Sequence, residues 1–417
     1  MQYVVITFGT EGDTRPLVGV CRALMDAGHG VKLLADRSTF DTAKALGVST
    51  LALAGDMKAT VAPGGALSRL MLDGGDASLM AKAVASIANQ HTTQWLQTVL
   101  AEARAMKADA VLFSGIASYV GLAAGEHLGV PAIGLGLWPI SPTREFPSPL
   151  LPPMRMPGWL NRLSHQLVNA VSWRMFRKSM QAAQRAVSSP QPPRQKAWQD
   201  YPILYGVSKH LIPQPADWSE LWQICGAWSA PSATPWKPAP ALANFLKDGP
   251  APIYIGFGSM AGFDQRTLLA TLIEALNGQR AVFFAGWSGI TAIDLPRNIC
   301  LIGATPHDQL FPRMSMVIHH GGAGTSHTAA KAGVPSVVIP FAGDQFFWAD
   351  RLAKAGVAPP TVPHTRLRPA QLKAMIAWAQ RDDVRARAQA LGQAMAAEHG
   401  VKVAVELIEK YSRRGPT

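Results

Sequence analysis

Residues His319-His320-Gly321-Gly322-Ala323-Gly324-Thr325 follow directly on an apolar run that ends at Ile318. The order predicts a strand, two imidazoles at its end, a glycine turn and the start of a helix of small residues. Such a turn gathers unpaired backbone N–H groups at the positive end of a helix dipole, which favours a phosphate. His319, His320, Gly322, Gly324 and Thr325 are the candidate contacts. A tight turn with no ligand is the plain alternative, and a His pair can also bind metal. No Cys or third His stands at ligand spacing, however, so no metal is expected. Further on, Pro340-Phe341-Ala342-Gly343-Asp344-Gln345 sets a carboxylate and an amide after the next apolar run. Asp344 accepts and Gln345 both donates and accepts, which suits vicinal hydroxyls. The same pair could simply start a helix. Ser259, in the glycine turn after Phe257, could cap a helix or donate to a phosphate oxygen. Phosphate donors beside hydroxyl ligands point to a nucleotide-sugar site.

One carboxylate stands apart from these groups. Asp13 lies in Gly9-Thr10-Glu11-Gly12-Asp13-Thr14-Arg15-Pro16. Proline is favoured at the first position of a helix, so Asp13 could cap a helix beginning at Pro16. A carboxylate at a strand's end could equally take a proton from an attacking alcohol. The two roles are compatible.

The elements that must position these groups form two series. Val4–Phe8, Val31–Ala35, Val48–Leu53, Ala110–Phe113 and Ala132–Leu137 read as strands, with helices over Pro16–Ala27 and about Leu79–Met106. A helical region, Gly158–Val187, lies between Pro-rich tracts. Trp218–Pro252 has a linker-like composition, rich in Trp and Pro. A second series follows, with strands at Ile253–Phe257, Val282–Ala285, Ile299–Ile302, Met316–Ile318 and Ser336–Ile339. The tail from Gln371 to about Tyr411 reads as helical. The fold class is therefore α/β, with two doubly wound, Rossmann-like domains facing across a cleft at their strands' carboxyl ends.

Composition agrees with two domains. The chain has 417 residues, 48% apolar and 16% charged, too long for one typical core and too apolar for disorder. No apolar run approaches the ~18 residues of a membrane span. Met1–Gly12 reads as a first strand, not a signal peptide, and Cys21, Cys225 and Cys300 as reduced thiols, so a cytoplasmic protein is expected. The net charge of +12 comes with no nucleic-acid-binding signature. Its excess falls in Arg144–Lys209. There, Trp159, Leu163, Leu167, Val171 and Phe176 mix with Arg162, Arg174, Arg177 and Lys178. A surface helix packed on its domain explains this pattern. A helix over about 155–194 that touches an inner membrane surface or a greasy acceptor explains it too.

Taken together, these blocks resemble the inverting glycosyltransferases of the GT-B fold, and specifically the sterol 3β-glucosyltransferase type. Antibiotic glycosyltransferases are more distant relatives. The similarity runs through Gly9–Pro16, Tyr205–Ser208, Pro213–Trp218, Gly226–Trp228, Pro252–Met260, Pro306–Asp308, Phe311–Arg313, His319–Thr325 and Pro340–Trp348. The resemblance implies an acceptor-binding domain over 1–220, a linker over 221–250 and a nucleotide-sugar domain over 251–395. It also implies a terminal helix over 396–417 that crosses back to the first domain. UDP-glucose would be the donor substrate, with no cofactor and no metal. Asp13 would be the general base for a sterol or other lipophilic hydroxyl. Gly12, Ser259, His319, His320 and the N–H groups of Gly322–Thr325 would surround the diphosphate, and Asp344 and Gln345 would hold the sugar. Ala304 and Thr328 depart from the plant donor motif, where a Trp stacks on uracil and a Glu binds ribose. A natural-product transferase using a dTDP-deoxysugar is the alternative that this departure raises. A catalytically silent nucleotide-sugar-binding partner protein is another.

Overall fold

Short runs buried on both faces dictate the architecture. In Gln2–Ile6 (β1) every residue after Gln2 is buried, and in Ala110–Phe113 and Met316–His319 all four are. Strands of that kind belong inside parallel sheets covered by helices on both sides. The computed structural model describes residues 1–61, 65, 77–152, 154, 156–189, 200–232, 236–258, 265–286 and 295–414. Within them lie two sheets, each wholly parallel.

The first sheet contains β1, β2 (Gly30–Ala35), β3 (Ser49–Ala52), β4 (Ala110–Phe113), β5 (Ala132–Gly136), β6 (Ile203–Tyr205) and β7 (Trp222–Ile224). Their order is β3-β2-β1-β4-β5-β6-β7, with Tyr3 opposite both Val31 and Ala110. The chain winds outward in both directions from β1 and β4, so the connections leaving those two strands diverge. A doubly wound sheet opens its ligand crevice at such a switch point. The helix Glu11–Asp26, which carries Asp13, starts there.

The second sheet contains β8 (Ile253–Gly256), β9 (Ala281–Phe284), β10 (Ile299–Ile302), β11 (Met316–His319) and β12 (Ser336–Val338). The order is β10-β9-β8-β11-β12. Its switch point lies between β8 and β11, where Gly256 pairs with His319. That register brings the turn after Phe257 beside the His319–Thr325 turn.

By contacts the chain divides into residues 1–59, 78–233 and 399–417 on one side and 60–77 and 234–398 on the other. The terminal helix Gly400–Ser412 therefore belongs with the first sheet. Ala404, Val405, Ile408 and Tyr411 join the core of Leu17, Val20, Cys21 and Leu24. The Tyr411 hydroxyl donates to the Glu220 carbonyl at 2.7 Å, and Trp228 Nε1 donates to the Gly400 carbonyl at 3.2 Å. Cys21 and Cys225 lie in this same core, and burial pushes both thiols up to about 12. They are inert thiols.

Several elements differ from the sequence expectation. The first helix begins at Glu11 and not at Pro16, because Thr10 and Asp13 form a capping box upstream of the proline. The linker-like Trp/Pro stretch contributes β7 to the first sheet and buries Trp228 in its core. The helical tail is three helices, Pro369–Ala379, Asp382–Ala396 and Gly400–Ser412. Among the described residues no helix is long and apolar enough to cross a membrane.

Ile408 is fully buried, and Ile408→Ala removes side-chain volume with little room for collapse. The loss in unfolding free energy should be about 2–5 kcal/mol, read from urea denaturation.

Candidate functional site

The second unit carries the phosphate-type turn. His319 ends β11 and is fully buried. Its Nδ1 accepts from the Gly321 N–H at 3.1 Å, so the ring proton of the neutral form sits on Nε2. That Nε2 is buried with no partner among the described residues, as is Nδ1 of His320. Burial lowers the His319 pKa to about 3, with His320 and His307 adding to the effect, and burial lowers His320 to about 4. Both imidazoles are neutral at pH 7, so they act as hydrogen-bonding dipoles and not as cations.

Glycines close around His320 from two loops. A Cβ on Gly258, after β8, would lie 2.9 Å from His320 Cε1, and one on Gly322 would lie 2.5 Å from Nε2. Gly258 also has φ +61°. Gly321 has φ +93°, and a Cβ there would meet the Gln345 carbonyl and Val338 Cγ1 at 2.8 Å. Gly322 caps the helix Ala323–Lys331, and the Ser326 N–H makes the first helical bond, to the Gly322 carbonyl, at 2.9 Å. The N–H groups of Ala323, Gly324 and Thr325 therefore precede any helical acceptor, and no carboxylate occupies that first turn. Gly324 is exposed, and a Cβ there would touch nothing. Its missing side chain leaves this N–H face open from outside.

The Asp344-Gln345 step is built into the same unit. Gln345 is buried, and its Oε1 accepts from the N–H groups of Phe341 and Ala342 at 2.7 and 3.1 Å. Its carbonyl oxygen thus closes the loop, a role that the hydroxyl-ligand reading did not include. Asp344 Oδ2 accepts from Nε1 of Trp348 at 2.9 Å. Trp348 is fully buried, and His327 packs edge-on against it with ring centroids 4.8 Å apart. His327 Nδ1 in turn donates to the Ala323 carbonyl at 2.8 Å. His327 and Trp348 thereby link the helix N-terminus to Asp344. No motif marked His327, and Trp348 entered only as the end of the Pro340–Trp348 block, although Asp344 and Trp348 stand four apart at a helix start, a spacing that permits this bond.

In the first unit, Asp13 is the third residue of its helix and is partly buried. Its Oδ2 accepts from the Thr10 N–H at 2.7 Å and from the Thr10 hydroxyl at 3.2 Å. A Cβ on Gly9 would lie 2.3 Å from that oxygen, so any larger residue there would push the Asp13 carboxylate out of place. Burial raises the Asp13 pKa, while the Thr10 hydrogen bonds oppose the rise. The capping carboxylate and the candidate base are one group, held at the helix's start and made more basic by desolvation. Gly12 precedes it in the same turn and is exposed. Ser259 lies outside the described residues.

Two parallel doubly wound sheets of this kind define a fold class. The crystal structure of the glycosyltransferase of kitacinnamycin has the same fold, with a TM-score of 0.73 at 18% identity over 98% of each chain. Residues 276–409 match the family described as erythromycin biosynthesis protein CIII-like, C-terminal domain. The chain has the GT-B fold of that glycosyltransferase. Within that class it is similar to sterol 3-beta-glucosyltransferases. It is 29% identical over 422 residues to sterol 3-beta-glucosyltransferase UGT80B1 of Arabidopsis thaliana, a match spanning 99% of this chain and 68% of the relative. It is 28% identical to the sterol 3-beta-glucosyltransferase of Emericella nidulans, over 98% of this chain and 30% of that one. The chain thus spans about two thirds of the plant protein's length and under a third of the fungal one's.

His319, His320 and His327 all lie in the second unit, and His327 is also lowered to about 4. The ordinary histidine pKa, which the unfolded chain would show, is 6.5. The unfolded chain therefore binds protons that the folded unit refuses. Their stabilising contribution is whole above about pH 6.5 and is lost as pH falls toward 4. The thermal midpoint should drop across that window. His327→Gln, which keeps a donor for the Ala323 carbonyl, should flatten part of the drop.

Proposed function

We propose that this chain transfers glucose from UDP-glucose to the hydroxyl of a sterol or similar lipophilic alcohol, with inversion at the anomeric carbon. The observation that carries the reading is the similarity to sterol 3-beta-glucosyltransferases over 99% of the chain. The geometry of each unit supports it. The acceptor oxygen attacks the anomeric carbon as the bond to the diphosphate oxygen breaks. The hydroxyl proton passes to Asp13, whose raised pKa strengthens it as a base. The charge that develops on the diphosphate falls to the N–H groups of Ala323, Gly324 and Thr325 and to neutral His320. Asp344, fixed by Trp348, and Gln345 hold the sugar hydroxyls.

A dTDP-sugar is the second donor reading. Thr328 donates its hydroxyl back to the Gly324 carbonyl at 2.8 Å, and Ala304 is small and exposed. Neither supplies a ribose carboxylate or a stacking ring for uracil. A screen of UDP-glucose and dTDP-sugars against sterols, flavonoids and macrolides decides between the donors. No transfer and no donor hydrolysis in any pairing would make the chain a silent nucleotide-sugar binder.

Asp13→Asn should lower kcat by about 10²–10⁴-fold, while UDP affinity by calorimetry stays unchanged. Full turnover in that variant removes Asp13 as the base. His320→Ala should weaken UDP binding by roughly tenfold, the worth of one hydrogen bond to a charged group. Unchanged affinity would move the diphosphate elsewhere.

A further inference from the structure

The helix Gly158–Ala186 is inside out over its first half. The side chains it buries there are polar: Asn161, Ser164 and His165. They are bolted to the preceding loop. Asn161 Nδ2 donates to the Arg144 carbonyl at 2.9 Å, and Ser164 Oγ accepts from the Ser148 N–H at 2.9 Å. His165 lies between the carbonyls of Phe146 and Ile140, at 3.1 and 3.3 Å. The side chains it exposes are large and apolar. Trp159 is 64% exposed, Leu163 48%, Leu167 59% and Val171 48%. Their spacing of four makes one continuous stripe. Leu150 and Met154, just before the helix, are exposed as well. Scattered apolar residues on a surface need no explanation, but a contiguous stripe opposite a buried polar face does.

Charge identifies what the stripe meets. Beyond Val171 the exposed positions turn cationic, with Arg174, Arg177, Lys178 and Arg185. No Asp or Glu occurs anywhere in the 29 residues. Asp217, on a neighbouring loop, is engaged by Thr143, by the Arg144 N–H and, at 3.9 Å, by Arg162. The outer surface of this helix, about 43 Å long, therefore offers hydrocarbon at one end, positive charge at the other and no carboxylate of its own. Its complement is apolar and anionic together. That combination exists where acyl chains meet anionic headgroups.

We infer that this helix docks the chain on an anionic lipid bilayer. Trp159, Leu163, Leu167 and Val171 enter the headgroup–acyl boundary, and Arg174, Arg177, Lys178 and Arg185 rest on the phosphates. The docking stands apart from the transfer reaction, since none of these residues belongs to the proposed machinery.

The test is vesicle sedimentation of the full chain, with phosphatidylcholine alone or mixed with phosphatidylserine. The expected result is binding to the anionic vesicles only, weakened by salt. Trp159→Ser with Leu163→Ser and Leu167→Ser should cut that binding by at least about tenfold. Arg174→Gln with Arg177→Gln and Lys178→Gln should weaken it and shallow its salt dependence. All six positions are exposed or on the exposed face, and the thermal midpoint of each variant checks that the fold is kept. Failure of the wild type to sediment with anionic vesicles overturns the inference. So does binding that the serine variant retains, or a wild-type dimer, insensitive to lipid, that the serine variant breaks. That last result would assign the stripe to a second copy. Transfer to a detergent-dispersed acceptor, unchanged in both variants, separates a failure of docking from a failure of the enzymatic reading.

Discussion

A neutral imidazole pressed between two glycine backbones sets the dimensions of the second unit's site. His320 can sit where it does only because Gly258 and Gly322 lack side chains. The parallel pairing of β8 with β11 brings those glycines to the same ring from different loops. Once the ring is fixed, the rest follows outward. Gly322 caps the helix, the helix presents its first N–H groups, and Gly321 turns the chain tightly enough to pack on Gln345. Gln345 then closes the loop that carries Asp344. Burial keeps His319 and His320 uncharged, so both present oriented dipoles. Such dipoles are worth more in a dry pocket than in water, and they need no counter-ion.

The sequence was most legible where burial and length agree. The strands Ala110–Phe113 and Ile299–Ile302 appear at the residues their apolar pattern indicates. The helix from Gly158 is also where expected, because its flanking prolines bracket it. β6 and β7 were not legible. Each is three residues long and lies among Pro and Trp, and only pairing to a finished sheet edge makes them strands. The start of the first helix was misplaced because proline is a strong first-position signal. The Thr10–Asp13 capping box is a stronger one.

The site divides the same way. Its motif residues were visible as types: a His pair, glycines, an Asp-Gln step and a lone Asp. The groups that hold them were not. Trp348 and His327 reach Asp344 and Ala323 through tertiary packing of two helices, which no local pattern encodes. The oxygen of Gln345 looked like a ligand and is a structural fastener as well. The long helix over Gly158–Ala186 was read as amphipathic, but only the structure reveals that its first half buries polar side chains while its second half buries Trp173, Phe176 and Met180.

Pro16 gives the turn around Asp13 an unusual property. Proline has no N–H, so the Gly12 carbonyl, four residues earlier, receives no helical bond. The first turn is then held less by its own ladder and more by the two bonds that Thr10 gives to the Asp13 carboxylate. Bonds to an ionised acceptor are roughly twice as strong as bonds to a neutral one. A proton arriving on Asp13 weakens both fasteners at once and leaves the backbone bonds from Asp13 and Thr14 to the Thr10 carbonyl. Order in that turn is thus tied to the occupancy of one carboxylate by one proton. The stretch that receives the proton is also the stretch that loosens when it arrives.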